Sequence, residues 1–321
     1  MKELPTGALK AGQPTAINNA GQVVGIAFSP GPGPYRNVLW EEGALLAIFP
    51  SAPQGINDLG VVVGNNFLWS KNGGFRPLGP RDGGRRNRAW GINNAGLVVG
   101  LVNVCVPCER TGQTVPCLWP DPWRWPKSFV PLVPEENTDA RAAAANDAGV
   151  IAGRCFSPAF HCNRAACWKP GPTGYEMRFL ASPGNGYSEA EDLNENDEIV
   201  GGAMVEATTA HAFIWRPDGS ARDLGAPADN HASWAEGINN QGVVVGFGSV
   251  PHTTESYAFM WTEKDGLVDL NKVISTDSGW VLERAVDVND QGQIVGYGSL
   301  RGEAMRPFIL TPLSLTPLSA D

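Results

Sequence analysis

The chain has 321 residues, of which 39 are Gly and 26 are Pro, a composition that favours many short strands and turns over long helices. Its formal net charge of −9 argues against a nucleic-acid partner, because phosphates require a basic surface. No apolar run reaches the roughly 18 residues that a membrane-spanning helix needs, so no membrane span is predicted.

One ten-residue pattern recurs seven times along the chain, for example GINDLGVVVG from Gly55 and GINNQGVVVG from Gly237. In each copy a Gly follows an Asn by seven residues, and successive Asn residues are 36 to 53 positions apart. The pattern Asn-x-x-Gly is typical of a tight hairpin turn, in which we expect the Asn side chain to cap the turn. The seven Asn residues are Asn18, Asn57, Asn93, Asn146, Asn194, Asn239 and Asn289.

Each copy continues into an aromatic strand and then a fourth strand that carries a Leu or Ile. The aromatic strands end at Trp40, Trp69, Trp119, Trp168, Trp215 and Trp261, with Leu310 at the same place in the last copy. Four strands in each of seven repeats predict an all-β fold, a seven-bladed β-propeller of antiparallel blades. We assign residues 1–321 to a single propeller domain, with the blades centred on the seven Asn residues.

The two ends of the chain predict how the propeller closes. The last copy stops after its third strand, and Leu4 precedes Asn18 by 14 residues, as Leu132 and Leu180 precede Asn146 and Asn194. We therefore expect residues 1–10 to complete the last blade, with the N-terminal strand as its outer strand, which removes two open sheet edges.

The segment His211-Ala212-Phe213-Ile214-Trp215, together with GINNQGVVVG and Asp223-Leu224-Gly225, resembles the HAF repeat family of bacterial repeat proteins. The resemblance covers nearly the whole chain, although only this copy contains the literal His-Ala-Phe. It implies a repeated β architecture and an extracellular or periplasmic location, and it brings no catalytic residues with it. The first residues lack the apolar region of a signal peptide, which fits either the mature form of an exported protein or a cytoplasmic protein.

All six cysteines fall in the third and fourth repeats, where an even number in two adjacent insertions favours disulfides that staple long loops. Disulfides also require an oxidising compartment. The alternatives are free thiols or a zinc or redox site at Cys105-x-x-Cys108, but no second such pair completes a zinc site, and we predict no metal and no cofactor. The candidates are Cys105, Cys108, Cys117, Cys155, Cys162 and Cys167.

The residue three positions before each Asn is expected near the mouth of the propeller, where loops on a rigid scaffold carry function. These residues are Thr15, Gln54, Trp90, Ala143, Glu191, Glu236 and Val286. Only the fifth and sixth blades place acids side by side. Around them we predict ligand-binding residues at Trp90, Tyr187, Glu189 and Trp234, and in a basic loop at Arg86 and Arg88.

Two functions remain open on the sequence. The first is an exported, monomeric binding or interaction module that recognises a carbohydrate, peptide or other small-molecule or polymer ligand, glycans included. The second is an enzyme of the polysaccharide lyase or hydrolase type, with Glu191, Glu236 and His231 as its acid–base residues.

Overall fold

A computed structural model describes residues 1–29, 33–78, 87–104, 113–120, 129–133, 140–183, 186–226, 231–250, 252–253 and 255–312. Its elements are strands and three short 3-10 helices, Gly7–Leu9, Leu270–Lys272 and Thr276–Ser278. No helix within these ranges is both long and apolar enough to span a membrane.

The strands form seven antiparallel four-stranded sheets, and six of these are built from consecutive segments in the order inner to outer. The first three blades contain β2 (Ala11–Ile17), β3 (Val23–Phe28), β4 (Tyr35–Glu41) and β5 (Ala44–Phe49); β6 (Pro53–Ile56), β7 (Val62–Gly64), β8 (Phe67–Ser70) and β9 (Gly74–Pro77); and β10 (Asn87–Ile92), β11 (Val98–Val104), β12 (Gln113–Trp119) and β13 (Val130–Pro131).

The next three blades repeat this order. They contain β14 (Ala140–Ala145), β15 (Ile151–Ser157), β16 (Cys162–Gly171) and β17 (Gly174–Phe179); β18 (Ser188–Leu193), β19 (Ile199–Met204), β20 (Ala210–Trp215) and β21 (Ala221–Gly225); and β22 (Ala232–Ile238), β23 (Val244–Ser249), β24 (Ser256–Thr262) and β25 (Gly266–Asp269).

The seventh blade joins the two ends of the chain. It consists of β26 (Trp280–Val288), β27 (Ile294–Leu300), β28 (Glu303–Leu310) and, as its outer strand, β1 (Lys2–Glu3). Lys2 pairs with Ile309 and Glu3 with Phe308. The predicted seven-bladed propeller and its closure by the N-terminal strand are confirmed, whereas the assignment of all 321 residues to one domain stays a prediction.

The hydrophobic core lies between neighbouring blades. One cluster joins Val295 of the last blade to Leu4, Leu9, Val38 and Trp40, so it packs the two ends of the chain together. The residue predicted to be buried by the outer strand is Ile48 in the first blade and a leucine in the other six. All six leucines are buried; they are Leu4, Leu78, Leu132, Leu180, Leu224 and Leu270. In the first blade Phe49 takes this place and Ile48 is exposed, because successive side chains of a strand point to opposite faces.

A closed ring of hydrogen bonds joins the inner strands at the Asn-x-x-Gly turns. Each Asn side chain caps its own turn, as predicted; the Asn239 Oδ1, for example, accepts from the backbone N–H groups of Gln241 and Val243. Its Nδ2 also donates to the carbonyl oxygen of the next repeat's Asn, at 2.9 Å. The same bond occurs between all seven neighbours, and Asn289 Nδ2 closes the ring on Asn18 O at 3.0 Å.

Four of the six cysteines lie in the described ranges. All four belong to strands, whereas the sequence predicted disulfides between loops. Cys117, Cys155 and Cys167 are buried in three different hydrophobic clusters, and no disulfide joins any two of the described cysteines. Cys155 and Cys167 cannot be bridged to one another, since their side chains point to opposite faces of the same sheet. Cys162 begins β16, and Cys105 and Cys108 lie outside the described residues.

Candidate functional site

The inner strand of every blade contains a β-bulge at the same place. The pairing of inner and second strands skips one residue, for example between Ala235 and Gly237 in the sixth blade. The skipped residues are Thr15, Gln54, Trp90, Ala143, Glu191, Glu236 and Val286. A bulge re-aims the side chain of the extra residue, so these seven residues are presented differently from their neighbours.

The Gly seven residues after each Asn is what allows this bulge. A Cβ atom at Gly246 would overlap the carbonyl oxygen of Trp234, and it would lie 3.0 Å from the Cα of Ala235. The same overlap with the inner strand is found at Gly25, Gly64, Gly100, Gly153, Gly201 and Gly296. The repeated Gly therefore has a steric cause, since only a residue without a side chain lets the bulged backbone approach so closely.

All seven bulge residues line one cavity on the propeller axis, which has a volume of 560 Å³ and which we call the bulge-ring cavity. Its lining is uneven. Blades one to three contribute neutral groups such as Gln13, Gln54 and Trp90, whereas blades four to seven contribute charges. The charged lining residues are Arg141, Glu191, Asp192, Glu236, Arg284 and Asp287.

Arg141 holds two carboxylates at the charged side. Its Nη1 donates to Glu189 Oε1 and its Nη2 donates to Glu191 Oε2, both at 2.9 Å. The guanidinium also stacks on the ring of Trp90, 4.3 Å from the centroid. Arg154 binds the other oxygen of Glu189 at 2.7 Å, behind the cavity wall. These bonds fix the rotamers of Arg141 and Glu191 and thereby preorganise the wall.

Glu236 has an arginine of its own. Arg284 Nε donates to Glu236 Oε2 at 2.7 Å, and its Nη2 donates to the other oxygen, so the pair is bidentate. The guanidinium packs over the ring of Phe247, with 4.3 Å to the centroid. Arg284 thus presents Glu236 to the cavity in one orientation.

Burial dominates the titration of the two predicted acids. Burial, opposed by Arg141 and assisted by neighbouring Glu189 and Glu236, raises the pKa of Glu191 to about 7. Burial likewise raises the pKa of Glu236, while Arg284 lowers it. Glu191 is therefore poised near neutrality, where a carboxyl group is able to accept or donate a proton.

The remaining predicted residues lie around this site or away from it. Tyr187 and Trp234 stack on each other with 6.2 Å between ring centroids, and Trp234 Nε1 donates to Glu191 Oε1 at 3.3 Å. Together with Glu189 they form the wall behind Glu191 and do not line the cavity. Arg88 is exposed on β10, and Arg86 lies outside the described residues.

His231 is not brought together with Glu191 and Glu236. It lines a separate cleft of 660 Å³ with Tyr257 and Glu283, between the sixth and seventh blades. His231 lies outside the bulge-ring cavity because it precedes the inner strand β22, whereas Glu236 lies within that strand. The His231 ring packs 6.0 Å from the ring of Tyr257. The predicted three-residue acid–base group therefore reduces to two carboxyl groups and their arginines.

A family model described as "Protein of unknown function (DUF3466)" matches residues 134–300, just over half of the 321-residue chain. The chain belongs to this family. The six charged residues of the bulge-ring cavity all fall inside the part that matches DUF3466. The seven four-stranded sheets agree with the repeated β architecture that the HAF resemblance implied, but the match does not show membership of the HAF repeat family.

Solved structures show the same fold at low sequence identity. A Mycobacterium tuberculosis puromycin-hydrolyzing peptidase is 12% identical with a TM-score of 0.63, and the match covers 92% of this chain and 51% of that one. A puromycin hydrolase is 13% identical with a TM-score of 0.60, and the match covers 94% of this chain and 52% of that one. A streptogramin B lyase is 11% identical with a TM-score of 0.51, and the match covers 96% of this chain and 97% of that one.

The DUF3466 chain thus spans about half the length of the first two of these structures. At such identities the similarity establishes the propeller fold. A search of the curated proteins gave no match.

Proposed function

We propose that this DUF3466 chain is an exported binding module whose ligand, a carbohydrate, peptide or other polar molecule, occupies the bulge-ring cavity. One observation carries the proposal, namely that seven bulges deliver seven side chains of six residue types to one 560 Å³ cavity. A cavity of this size is in the range of small-molecule sites. The repeats share one turn pattern and one strand order, whereas the residues at the bulges differ from blade to blade.

The half-buried ion pairs give the proposal its second support. Arg141 with Glu191, and Arg284 with Glu236, are charges partly withdrawn from water, which costs desolvation energy that hydrophobic residues would not cost. Fold stability alone gives little reason for such pairs. Preorganised charges on a cavity wall are what a binding site uses to orient a polar ligand.

The first prediction concerns where a ligand binds. A ligand found by screening glycans, peptides and polar metabolites should lose about 5- to 150-fold in affinity on Glu236→Gln or Trp90→Ala, the equivalent of about 1–3 kcal/mol. Isothermal titration calorimetry measures the change. The control is Glu255→Gln, an acid of the separate cleft that His231 lines. Unchanged binding in both cavity variants, or a loss confined to the control, would refute the proposal.

A second function is favoured by the raised pKa of Glu191. A carboxyl group poised near neutrality, beside a second carboxyl group, is suited to proton transfer in a lyase or hydrolase. The streptogramin B lyase, which matches over 97% of its length, is an enzyme on a propeller of this size. If the chain is an enzyme, Glu191→Gln should abolish turnover while the ligand still binds, and equal loss of both would favour a purely binding role.

A further inference from the structure

The charges that line the bulge-ring cavity do not balance. Arg141 is paired with Glu191, and Arg284 with Glu236, so both lining arginines are already engaged. Two more carboxyl groups, those of Asp192 and Asp287, line the same cavity. No Lys or Arg among the described lining residues is left to neutralise them.

The backbone supplies the hydrogen bonds that these two aspartates have. Asp287 Oδ2 accepts from the N–H of Ile17 at 2.8 Å, across the junction of the last and first blades. Asp192 Oδ2 accepts from the N–H of Ile238 at 3.0 Å in the next blade. Both carboxyl groups lie deep in the propeller, yet part of each residue's surface stays accessible from the cavity.

Burial raises the pKa of both aspartates, and the charge of Asp192 raises the pKa of Asp287 further above its ordinary value. The titratable groups around Asp287 are Asp192 on β18 and Glu236 on β22, while β2 of the first blade adds none. Without a neighbouring cation, the aspartate pair keeps a proton to a higher pH than a free carboxyl group does. A cation bound beside the pair would replace that proton and stabilise the ionised carboxylates.

The opposite mouth of the axis strengthens the same field. Asp58, Glu195 and Asp290 line it, again without a Lys or Arg among the described lining residues. Asp192 and Asp287 line this mouth as well, so they lie between the two openings. A cleft lined by one sign of charge concentrates ligands of the opposite sign.

We infer that the bulge-ring cavity takes a cationic organic ligand, whose guanidinium or ammonium group sits between Asp192 and Asp287. This inference rests on the proposed function and narrows its ligand class. A guanidinium group matches a carboxylate with parallel N–H donors, which suits two carboxyl groups that line the same cavity. A metal ion is the poorer fit, because no group of three or more His, Cys, Asp or Glu in the described ranges is arranged to hold one.

The test compares methylguanidinium with N-methylurea, a neutral molecule of nearly the same shape, by calorimetry on the full chain at pH 8.5 and pH 6. At pH 8.5 we expect methylguanidinium to bind at least tenfold more tightly than N-methylurea. The preference should shrink at pH 6, where the aspartate pair carries a proton that the cation has to displace. Equal binding of the two probes at both pH values would overturn the inference.

Variants assign the effect to the aspartates. Asp192→Asn and Asp287→Asn keep an oxygen that accepts the backbone N–H but remove the charge, and each should lower the methylguanidinium affinity at least fivefold. Asp218→Asn, in an exposed turn of the fifth blade, also removes one negative charge but lies outside the cavity lining. It should leave the methylguanidinium affinity unchanged. A loss as large in Asp218→Asn would attribute the effect to net charge and contradict the site.

The outcomes separate this inference from the proposed function. A neutral or anionic ligand whose binding depends on Glu236 and Trp90 would refute the ligand class and leave the binding module standing. A ligand insensitive to every cavity variant would refute the proposed function itself. The two intact-protein probes give an answer even if a variant fails to fold.

Discussion

Glu191, Glu236 and Asp287 show how the same carboxyl group is held in different ways along one propeller axis. Glu191 and Glu236 occupy equivalent bulges and are each held by an arginine. Asp287 is held by two backbone N–H groups, from Ile17 and Val288, both at 2.8 Å. A buried carboxyl group without a cation is destabilising when ionised, so Asp287 should make the stability of the fold depend on pH.

The second prediction is that Asp287→Asn flattens this pH dependence. Burial and then the neighbouring Asp192 raise the pKa of Asp287 to about 8, whereas an aspartate in the unfolded chain has a pKa of about 4. Between these values the native state binds more protons than the unfolded state, so the free energy of unfolding falls as the pH rises and levels off above pH 8. The fall contributed by Asp287 between pH 5 and pH 8 should be on the order of 4 kcal/mol, since each pH unit in this window contributes about 1.4 kcal/mol.

Urea unfolding at pH 5 and pH 8.5 measures this dependence in the native protein and in Asp287→Asn. The variant should lose less stability between the two pH values than the native protein does. Asp218→Asn serves as the control and should keep the native slope. An Asp287→Asn protein that loses as much stability as the native chain would contradict the assignment.

At the scale of the element, the bulged inner strand links the repeat pattern to the site. The Gly seven residues after each Asn permits the bulge, and the bulge turns the residue three positions before the Asn into the cavity. Fold and site are therefore coupled within each hairpin. A change at the Gly should disturb both, although the Gly itself does not line the cavity.

The third prediction tests this coupling with Gly246→Ala. The new methyl group would overlap the carbonyl oxygen of Trp234, so the bulge has to open and Glu236 has to move. We expect a loss of about 3 kcal/mol in the free energy of unfolding, together with weaker ligand binding.

Gly43→Ala is the matched control, because Gly43 has a φ of 77° and no atom within 4 Å of the added Cβ. It should cost about 1 kcal/mol through backbone strain alone and leave binding intact. Equal effects of the two substitutions on stability and on binding would show that the close approach at Gly246 is unimportant.

At the scale of the whole molecule, two devices close the propeller. The outer one is β1, where the Glu3 carboxylate pairs with Arg306 and Pro5 O accepts a hydrogen bond of 2.7 Å from Trp40 Nε1. The inner one is the ring of seven Asn side chains, which runs without interruption from Asn18 round to Asn289 and back. Closure therefore acts at both the rim and the axis, and it leaves no inner strand without a neighbour on either side.

The fourth prediction concerns the N-terminal part of this closure. Leu4 is 4% exposed and belongs to the cluster between the last and first blades. Leu4→Ala should lower the free energy of unfolding by about 2–4 kcal/mol, as for other buried leucines. Leu59→Ala, at a leucine that is 73% exposed, should change it by less than about 0.5 kcal/mol. Thermal and urea unfolding of both variants measure these changes. If Leu4→Ala lowers the free energy of unfolding as little as Leu59→Ala does, the N-terminal segment does not help to close the ring.

The sequence by itself determined the architecture of this protein, because its information is local and repeated seven times. Asn-x-x-Gly turns, alternating apolar residues and the Trp strands each specify a short-range geometry, and Leu4 matches the outer-strand leucines by spacing alone. The positions of the seven bulge residues also follow from the repeat, since the residue three positions before each Asn has the same place on the inner strand of every blade. Their placement around one cavity could thus be predicted, even though the bulge itself was not.

The tertiary structure decided what surrounds each of those residues. Arg141 and Arg284 are 50 and 48 positions away from the acids they bind, Glu191 and Glu236, and nothing in the local pattern pairs them. His231 is close to Glu236 in sequence but lies in another cleft, and Cys155 and Cys167 share a strand pair but face different clusters. Ion pairs and pKa values depend on distance and burial in three dimensions, which arise only when neighbouring blades pack.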